Sequence, residues 1–323
     1  TSSLLIAFLS IPFAFSLIAC KRCTINFGIK ICELDCQGDS CFVRETFPPG
    51  LSGLLTRKTG CILGEAPWVG CRLNQDRQRL CLCQADYCNA NASTVVGYNK
   101  SVRLPSYACD HAHRPPNAPD ETFYGQCAGS FCTYERTEIL TFQNAISRSS
   151  ATGCSQREDF GLFSSNSKFF YYPNTCAVED SISGQQLTSC YATNATIPIN
   201  TLAVTSSSTT LSNCIVGINL PFGLPFFTPT QRNCTGEFCV IAIARDQSVV
   251  RGCLTVSALA GADRTLSEGY FMDVDGREQW LCKGSGCNAD VDTLTSSWPE
   301  GMDDYVNLTR MSPSYARIRK SIY

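Results

Sequence analysis

Cysteine dominates the residues of this chain that could do chemistry. There are 22 cysteines among 323 residues, but only two histidines, and the formal net charge is −2. The pattern Cys-x-Gly-x-x-Cys occurs at 36–41, 127–132 and 234–239, and each copy is followed by a Gly-Cys pair. Closely spaced cysteines can form disulfides, bind zinc or exchange disulfides. The low charge, without a basic cluster, argues against nucleic-acid binding.

The compartment decides between these cysteine chemistries. Residues 4–19 are almost wholly apolar, too short for a stable membrane span, and typical of a signal peptide cleaved near Leu17. An assembly segment is the alternative for this leader, and we expect no membrane or lipid anchor at the C-terminus. Five sequons predict N-glycosylation, at Asn91, Asn99, Asn194, Asn233 and Asn307. Together these features predict a secreted glycoprotein whose cysteines form disulfides.

Other chemistry is less well supported. Cys20-x-x-Cys23 could bind zinc or act in redox exchange, but no strand–helix unit of the thioredoxin type surrounds it. His111 and His113 would share one side of an extended segment and could hold a metal, although an exposed polar loop explains them better. The sequence leaves a carboxylate pair open, and it contains no nucleophile-elbow motif. We therefore predict no catalytic, cofactor-binding or metal-binding residue.

The repeated pattern divides the chain into units. We predict an apolar leader (1–19), three cysteine-rich units (20–90, 107–200 and 213–290) and a tail (291–323). Short strand-like runs and turn residues predict an all-β fold without a helix longer than about two turns. The turns include Pro48-Pro49-Gly50, residues 245–248 and a two-residue turn at Asp275-Gly276. Residues 315–323 are expected to be a solvated tail, with an added edge strand as the alternative.

The cysteine spacing of the first and third units carries a resemblance. The first unit opens with Cys-x-x-Cys and ends "CLCQADYCN", and the third ends "CKGSGCN". This pattern resembles the three-finger domain of the lymphocyte-antigen/urokinase-receptor family and is similar to the ET module of secreted nematode proteins. The first unit departs from the family by having Cys81-x-Cys83, and the second unit lacks the closing Cys-Asn because Tyr191 follows Cys190.

The resemblance implies three tandem, small, disulfide-rich, three-finger-like domains and a specific pairing of the cysteines. Six cysteines alone allow 15 pairings, so the pairing comes from the family. The implied disulfides are Cys20–Cys41, Cys23–Cys32, Cys36–Cys61, Cys71–Cys81, Cys83–Cys88, Cys109–Cys132, Cys127–Cys154, Cys214–Cys239, Cys234–Cys253 and Cys282–Cys287, which leaves Cys176–Cys190 to pair together. In this interpretation Gly38, Gly129 and Gly236 allow a tight backbone turn between two anchored sulfurs.

The expected function is protein–protein contact rather than catalysis, since three-finger domains display loops on a stapled frame. The first hypothesis is an extracellular structural subunit that self-associates into a matrix or filament. The second is a soluble ligand or decoy that binds a receptor or another secreted protein. An enzyme is the remote alternative, for which His111 and His113 would be the candidates.

Overall fold

The computed structural model describes residues 17–47, 55–64, 66, 68–140, 146–163, 169–181, 185–193, 210–219, 232–243, 247–259, 262 and 266–320. The leader up to residue 16, the turn at 48–50, part of the turn at 245–248 and the sequon at Asn194 lie outside these residues. The described chain is mostly β-strand, which confirms the all-β, disulfide-rich class.

The described residues of the first unit and of the segments that flank it form nine strands. They are β1 (Ile18–Cys20), β2 (Cys23–Asn26), β3 (Ile29–Cys32), β4 (Cys36–Gly38), β5 (Ser40–Thr46), β6 (Thr56–Ile62), β7 (Gly70–Leu73), β8 (Arg79–Cys83) and β9 (Val102–Arg103). Strands β1 and β4 form a two-stranded sheet, and the others form a seven-stranded sheet in the order β3-β2-β6-β5-β8-β7-β9. Only the short β9, from the linker to the second unit, is parallel to its neighbour.

The described residues of the second and third units form six strands each. Those of the second are β10 (Tyr107–Arg114), β11 (Thr122–Gly129), β12 (Cys132–Leu140), β13 (Ile146–Cys154), β14 (Thr175–Ser181) and β15 (Gln185–Ala192). Those of the third are β16 (Ser212–Asn219), β17 (Arg232–Gly236), β18 (Phe238–Ile243), β19 (Val249–Ala258), β20 (Gly269–Met272) and β21 (Glu278–Cys282).

All three units repeat one arrangement of three antiparallel hairpins. The first hairpins are β2–β3, β10–β11 and β16–β17, and the second and third hairpins of each unit follow in chain order. In each unit the first hairpin pairs with the second through its opening strand, and the second pairs with the third. A repeated sequence pattern therefore corresponds to a repeated strand order.

The second and third units are not separate sheets. Strand β14 pairs with β19 from Thr175↔Ala258 to Asp180↔Cys253, so the two units share one twelve-stranded sheet. Gly252 makes this approach possible, because a Cβ at that position would lie 2.5 Å from the carbonyl oxygen of Asp180. The disulfides stay within units while the sheet crosses between them.

One hydrophobic core also joins all three units. Four consecutive aromatic residues, Phe169 to Tyr172, are buried, with at most 4% of each exposed. They pack in a cluster with Phe42 and Leu82 of the first unit, Phe131 of the second and Phe238 and Leu281 of the third. The backbone of Phe170 also exchanges two hydrogen bonds with the Gln279 side chain, at 2.8 and 3.0 Å. A small stapled unit cannot bury enough apolar surface alone, and here the units bury it against each other.

The first and third units also contact each other directly. The backbones of Leu63 and Met272 exchange hydrogen bonds of 3.1 and 3.0 Å, which brings β20 against the first unit. Arg44 forms a 2.7 Å ion pair with Asp275, and Lys58 donates to the Val274 carbonyl.

The prediction of a solvated tail at 315–323 is wrong for its described part, residues 315–320, where Ile318 is fully buried. The described part of 291–323 is helical. This segment forms α1 (Val291–Ser296), α2 (Asp303–Met311) and α3 (Pro313–Lys320), so no edge strand forms over 315–320 either. The signals are local: Asp290 caps α1 by accepting from the Thr293 amide at 2.6 Å, and a proline begins α3.

Buried polar contacts dock these helices on the third unit. Trp280 stacks on Tyr270 with centroids 4.8 Å apart and donates its indole hydrogen to Thr309 of α2. The buried Glu278 carboxylate accepts hydrogen bonds from Tyr270, Ser312 and Ser314. Helix α2 also contacts the first unit, where Tyr305 donates to Asp39. These long-range contacts explain why the isolated sequence resembles a tail.

Candidate interaction surface on the first hairpins

The disulfides place the bases of the hairpins. The structure brings every cysteine next to the partner that the resemblance implies, with Cα–Cα separations between 4.0 and 6.2 Å. All of the cysteines lie within the described residues, and no free thiol remains among them. In the second and third units both strands of the first hairpin are bonded to the second hairpin. In the first unit β1 and β4, which lie at the base of β2–β3, carry the corresponding bonds, so the base of each first hairpin is held.

The repeated glycines have a different role from the one predicted. Gly38, Gly129 and Gly236 do not adopt positive φ, so they do not make tight turns. A Cβ on each would instead lie 2.8–2.9 Å from the Cβ of the bonded cysteine on a neighbouring strand, which is Cys61, Cys154 or Cys253. Glycine is therefore required because the disulfide leaves no room for a side chain.

A buried asparagine closes the first and third units. Asn89 accepts from the Lys21 amide at 2.9 Å and donates toward the carbonyls of Lys21, Phe42 and Gly60. Asn288 makes the corresponding bonds to Ile215, Val240 and Gly252. Both side chains are at most 1% exposed. One amide thus joins three separate segments of its unit, which gives the terminal Cys-Asn pattern a physical role.

In the second unit the last cysteine, Cys190, is followed by a tyrosine instead of an asparagine. Tyr191 is 2% exposed and donates its hydroxyl hydrogen to Asp159. Asp159 also accepts from the Gly161 amide at 2.8 Å. Burial raises the pKa of Asp159 to about 6, although the hydrogen bonds from Tyr191 and the backbone oppose the rise.

Asp159 lines a cleft of about 450 Å³ where the three units meet. Two ion pairs also line this cleft: Arg44 with Asp275 at 2.7 Å, and Arg277 with Asp273 at 2.6 Å. Glu45, another buried carboxylate, is held by Arg57, Arg79 and Tyr98. Such neutralised carboxylates stabilise contacts between strands and units, and their partners are arginines and tyrosines rather than a nucleophile with a base.

The prediction of a two-residue turn at Asp275-Gly276 is wrong in detail. Strands β20 and β21 pair up to Met272↔Glu278, which leaves a five-residue loop. The Asp273 carboxylate accepts the amide hydrogens of Asp275 and Arg277, and only Gly276 has positive φ within this loop. The Asp273 side chain therefore organises the loop, as Asn74 does in the first unit by accepting from the Gln78 amide.

The two histidines lie exposed on β10. The His111 ring is 5.5 Å from the Tyr124 ring on β11, and a register shift separates His111 from Ala112. Across the described ranges, no group of three or more His, Cys, Asp or Glu side chains is placed to hold a metal ion.

The most unusual exposed residues belong to the first hairpin of the first unit. Strands β2 and β3 are joined by Phe27 and Gly28, both with positive φ, at 51° and 82°. Positive φ is uncommon for a bulky residue. Phe27 nevertheless adopts it, and its side chain is 58% exposed. Ile29 and Ile31 follow on β3 and are 67% and 65% exposed. Because β3 ends the seven-stranded sheet, these isoleucines lie on an edge strand.

The first hairpin of the second unit has a similar surface. Strand β11 ends the twelve-stranded sheet, and Phe123 and Tyr124 on it are each 61% exposed. The shift in register falls beside Gly125, which has φ 118°. We call β2–β3 together with β10–β11 the hairpin surface. Sequence reasoning missed it, although the segments "NFGIKI" and "ETFYGQ" each combine apolar residues with a turn glycine.

Four sequon asparagines lie within the described residues, and all four are exposed: Asn91, Asn99, Asn233 and Asn307. Asn307 lies on α2, where Thr309 of the same sequon is buried against Trp280. Their glycosylation remains a prediction.

These features define the class: a disulfide-rich, all-β protein, with bridges that fit folding in an oxidising compartment. A family model described as a domain of unknown function (DUF7622) matches residues 224–292, within the third unit and the start of α1. A comparison with curated proteins finds no match. Within the described residues, no helix is both long enough and apolar enough to cross a membrane.

Proposed function

We propose that this chain is a secreted, N-glycosylated protein without catalytic activity that acts by binding proteins through its hairpin surface. The observation that carries the proposal is the β2–β3 hairpin, where Phe27 holds a positive φ at an exposed tip beside two exposed isoleucines. Exposed apolar edge strands favour association, and natural proteins usually protect them with charge or cover. Residues in sparsely populated backbone regions cluster at functional sites.

The remainder of the molecule supports the proposal by fixing this surface. Disulfides hold the base of each hairpin, and the shared core of Phe169–Tyr172 fixes the units relative to one another. A preformed surface loses less conformational entropy on binding than a mobile one. The order of the hairpins and the cysteine pairs further support assigning the units to the three-finger type, whose loops carry recognition.

The proposal is tested by photo-crosslinking from the hairpin surface. A photoreactive residue replaces Ile31 in one variant and Tyr124 in another, and the exposed Glu300 serves as the control position. We expect saturable crosslinks to protein from position 31 or 124 in extracellular fluid of the producing tissue. These crosslinks should disappear when Ile29→Ser is added to the position 31 variant and Phe123→Ser to the position 124 variant. Equal crosslinking from position 300, or none from the hairpins, would contradict the proposal.

A further inference from the structure

We propose that copies of this protein join edge to edge, with β3 of one copy pairing antiparallel with β11 of the next. This inference rests on the proposed function, because it names a second copy as the partner of the hairpin surface. The two strands end different sheets, so one molecule presents both halves of the contact.

The backbone of β3 has groups directed at its free edge. Cys23 and Cys32 are opposite each other with Cα atoms 4.0 Å apart, a distance typical of a non-hydrogen-bonded antiparallel pair. Bonded and non-bonded pairs alternate, so Lys30, two residues from Cys32, is also in a non-bonded pair with Ile25. The N–H and C=O of Lys30 therefore point away from β2, where an added strand would find them.

Charge distinguishes between the possible pairings. Lys30 is exposed on β3 and Asp120 is exposed just before β11, and neither forms a hydrogen bond or an ion pair with any described residue. Pairing β3 with another β3 brings two Lys30 ammonium groups together, whereas pairing it with β11 brings Lys30 toward Asp120. Opposite charges stabilise cross-strand neighbours and like charges destabilise them.

One register brings Lys30 near Asp120 and Ile29 against Phe123, and it places Ile31 opposite Glu121. With Lys30 opposite Thr122, Ile29 lies opposite Phe123 and the ammonium group lies diagonal to Asp120, within reach of a lysine side chain. The contact is heterologous, so each added copy leaves one β3 and one β11 free at the ends. Such contacts build open chains unless the rotation closes a ring.

The test is sedimentation velocity on the glycosylated, secreted protein from about 1 to about 100 micromolar, where small interfaces associate. We expect the wild type to form dimers and longer species as concentration rises. Lys30→Glu and Asp120→Lys should each weaken association about tenfold, which corresponds to about 1.4 kcal/mol. Lys100→Glu, which changes an exposed lysine on the linker, should leave association unchanged.

The decisive measurement mixes the two charge variants. Because Glu at position 30 of one variant faces Lys at position 120 of the other, an equal mixture should recover association to within about threefold of wild type. Variants that each lose association without recovering it in the mixture overturn the β3–β11 pairing, and so does a wild type that stays monomeric throughout. If purified copies stay monomeric while position 31 still crosslinks another protein in extracellular fluid, self-pairing fails and the proposed function stands.

Discussion

The first and second units reach the same strand order by different means. The first unit has five disulfides, a closing Asn89 and its own sheet. The second has three disulfides and no closing asparagine, and it shares its sheet with the third unit. It also contributes the aromatic residues that fill the common core. A unit with fewer covalent links can therefore keep the same arrangement by packing against its neighbours.

The largest effect should come from removing an aromatic side chain of the common core. Phe170 is 2% exposed, and Phe170→Ala should destabilise the protein by about 3–5 kcal/mol because it leaves a cavity where three units meet. Denaturant unfolding followed by tryptophan fluorescence measures this change. Phe47 is exposed, so Phe47→Ala is the control and should leave the free energy of unfolding nearly unchanged. Trp68 and Trp280 report on the first and third units. A fluorescence transition that Phe170→Ala leaves unchanged would contradict a shared core.

The next prediction concerns the buried asparagines of the first and third units, which the second unit lacks. Asn288→Ala removes the donor to three buried carbonyls and the acceptor for the Ile215 amide, which should cost about 3 kcal/mol. Asn89→Ala should behave alike, and the exposed Gln37→Ala is the control. Thermal unfolding under non-reducing conditions measures the shift. If both asparagine variants are as stable as the wild type, the buried amide does not stabilise the first and third units. Its absence would then not distinguish the second unit from them.

Because Asp159 can ionise, the Tyr191–Asp159 pair should make the free energy of unfolding depend on pH. The buried asparagines do not ionise and should have no such effect. Burial raises the pKa of Asp159 from 3.8 to about 6, so the folded state binds its proton more tightly than the unfolded state. This contribution to stability is fully present below the unfolded pKa and is lost as pH rises through about 6. The loss amounts to about 2–3 kcal/mol.

Denaturant unfolding between pH 4 and pH 7.5 measures this loss. Asp159→Asn keeps the shape and removes the ionisation, so its stability should vary less across this range. The matched variant Asp110→Asn changes an exposed carboxylate of the same unit and should keep the wild-type pH profile. Identical profiles for Asp159→Asn and wild type would exclude Asp159 as the source.

The smallest effect should come from the repeated glycines. Gly129→Ala places a Cβ 2.8 Å from that of Cys154, and we expect about 1 kcal/mol of overpacking cost. Gly217→Ala is the matched control, because a Cβ there meets no atom within 4 Å. The difference between the melting temperatures of Gly129→Ala and Gly217→Ala measures the cost of the close contact with Cys154. Equal melting temperatures would mean that Cys154 does not crowd a side chain at position 129.

The local features of this protein could be predicted from sequence because they depend on short spacings. The three copies of Cys-x-Gly-x-x-Cys correspond to three copies of one hairpin order, and the resemblance implied the cysteine pairs that the structure brings together. The Asp275-Gly276 hairpin was located correctly, but its loop length was not, since the Asp273 side chain organises five residues instead of two. The glycine positions were identified for the wrong reason, because the crowding atom comes from another strand.

What the sequence by itself determined is the all-β class and the covalent frame of each unit, since both follow from residues close together along the chain. Only the tertiary structure decided that the units merge. The pairing of β14 with β19, the burial of Phe169–Tyr172 and the docking of α2 by Trp280 all join residues distant in sequence. The exposure of Ile29 and Ile31 was decided in the same way. An apolar strand residue is core or surface according to what packs against it, and no spacing within the strand contains that information.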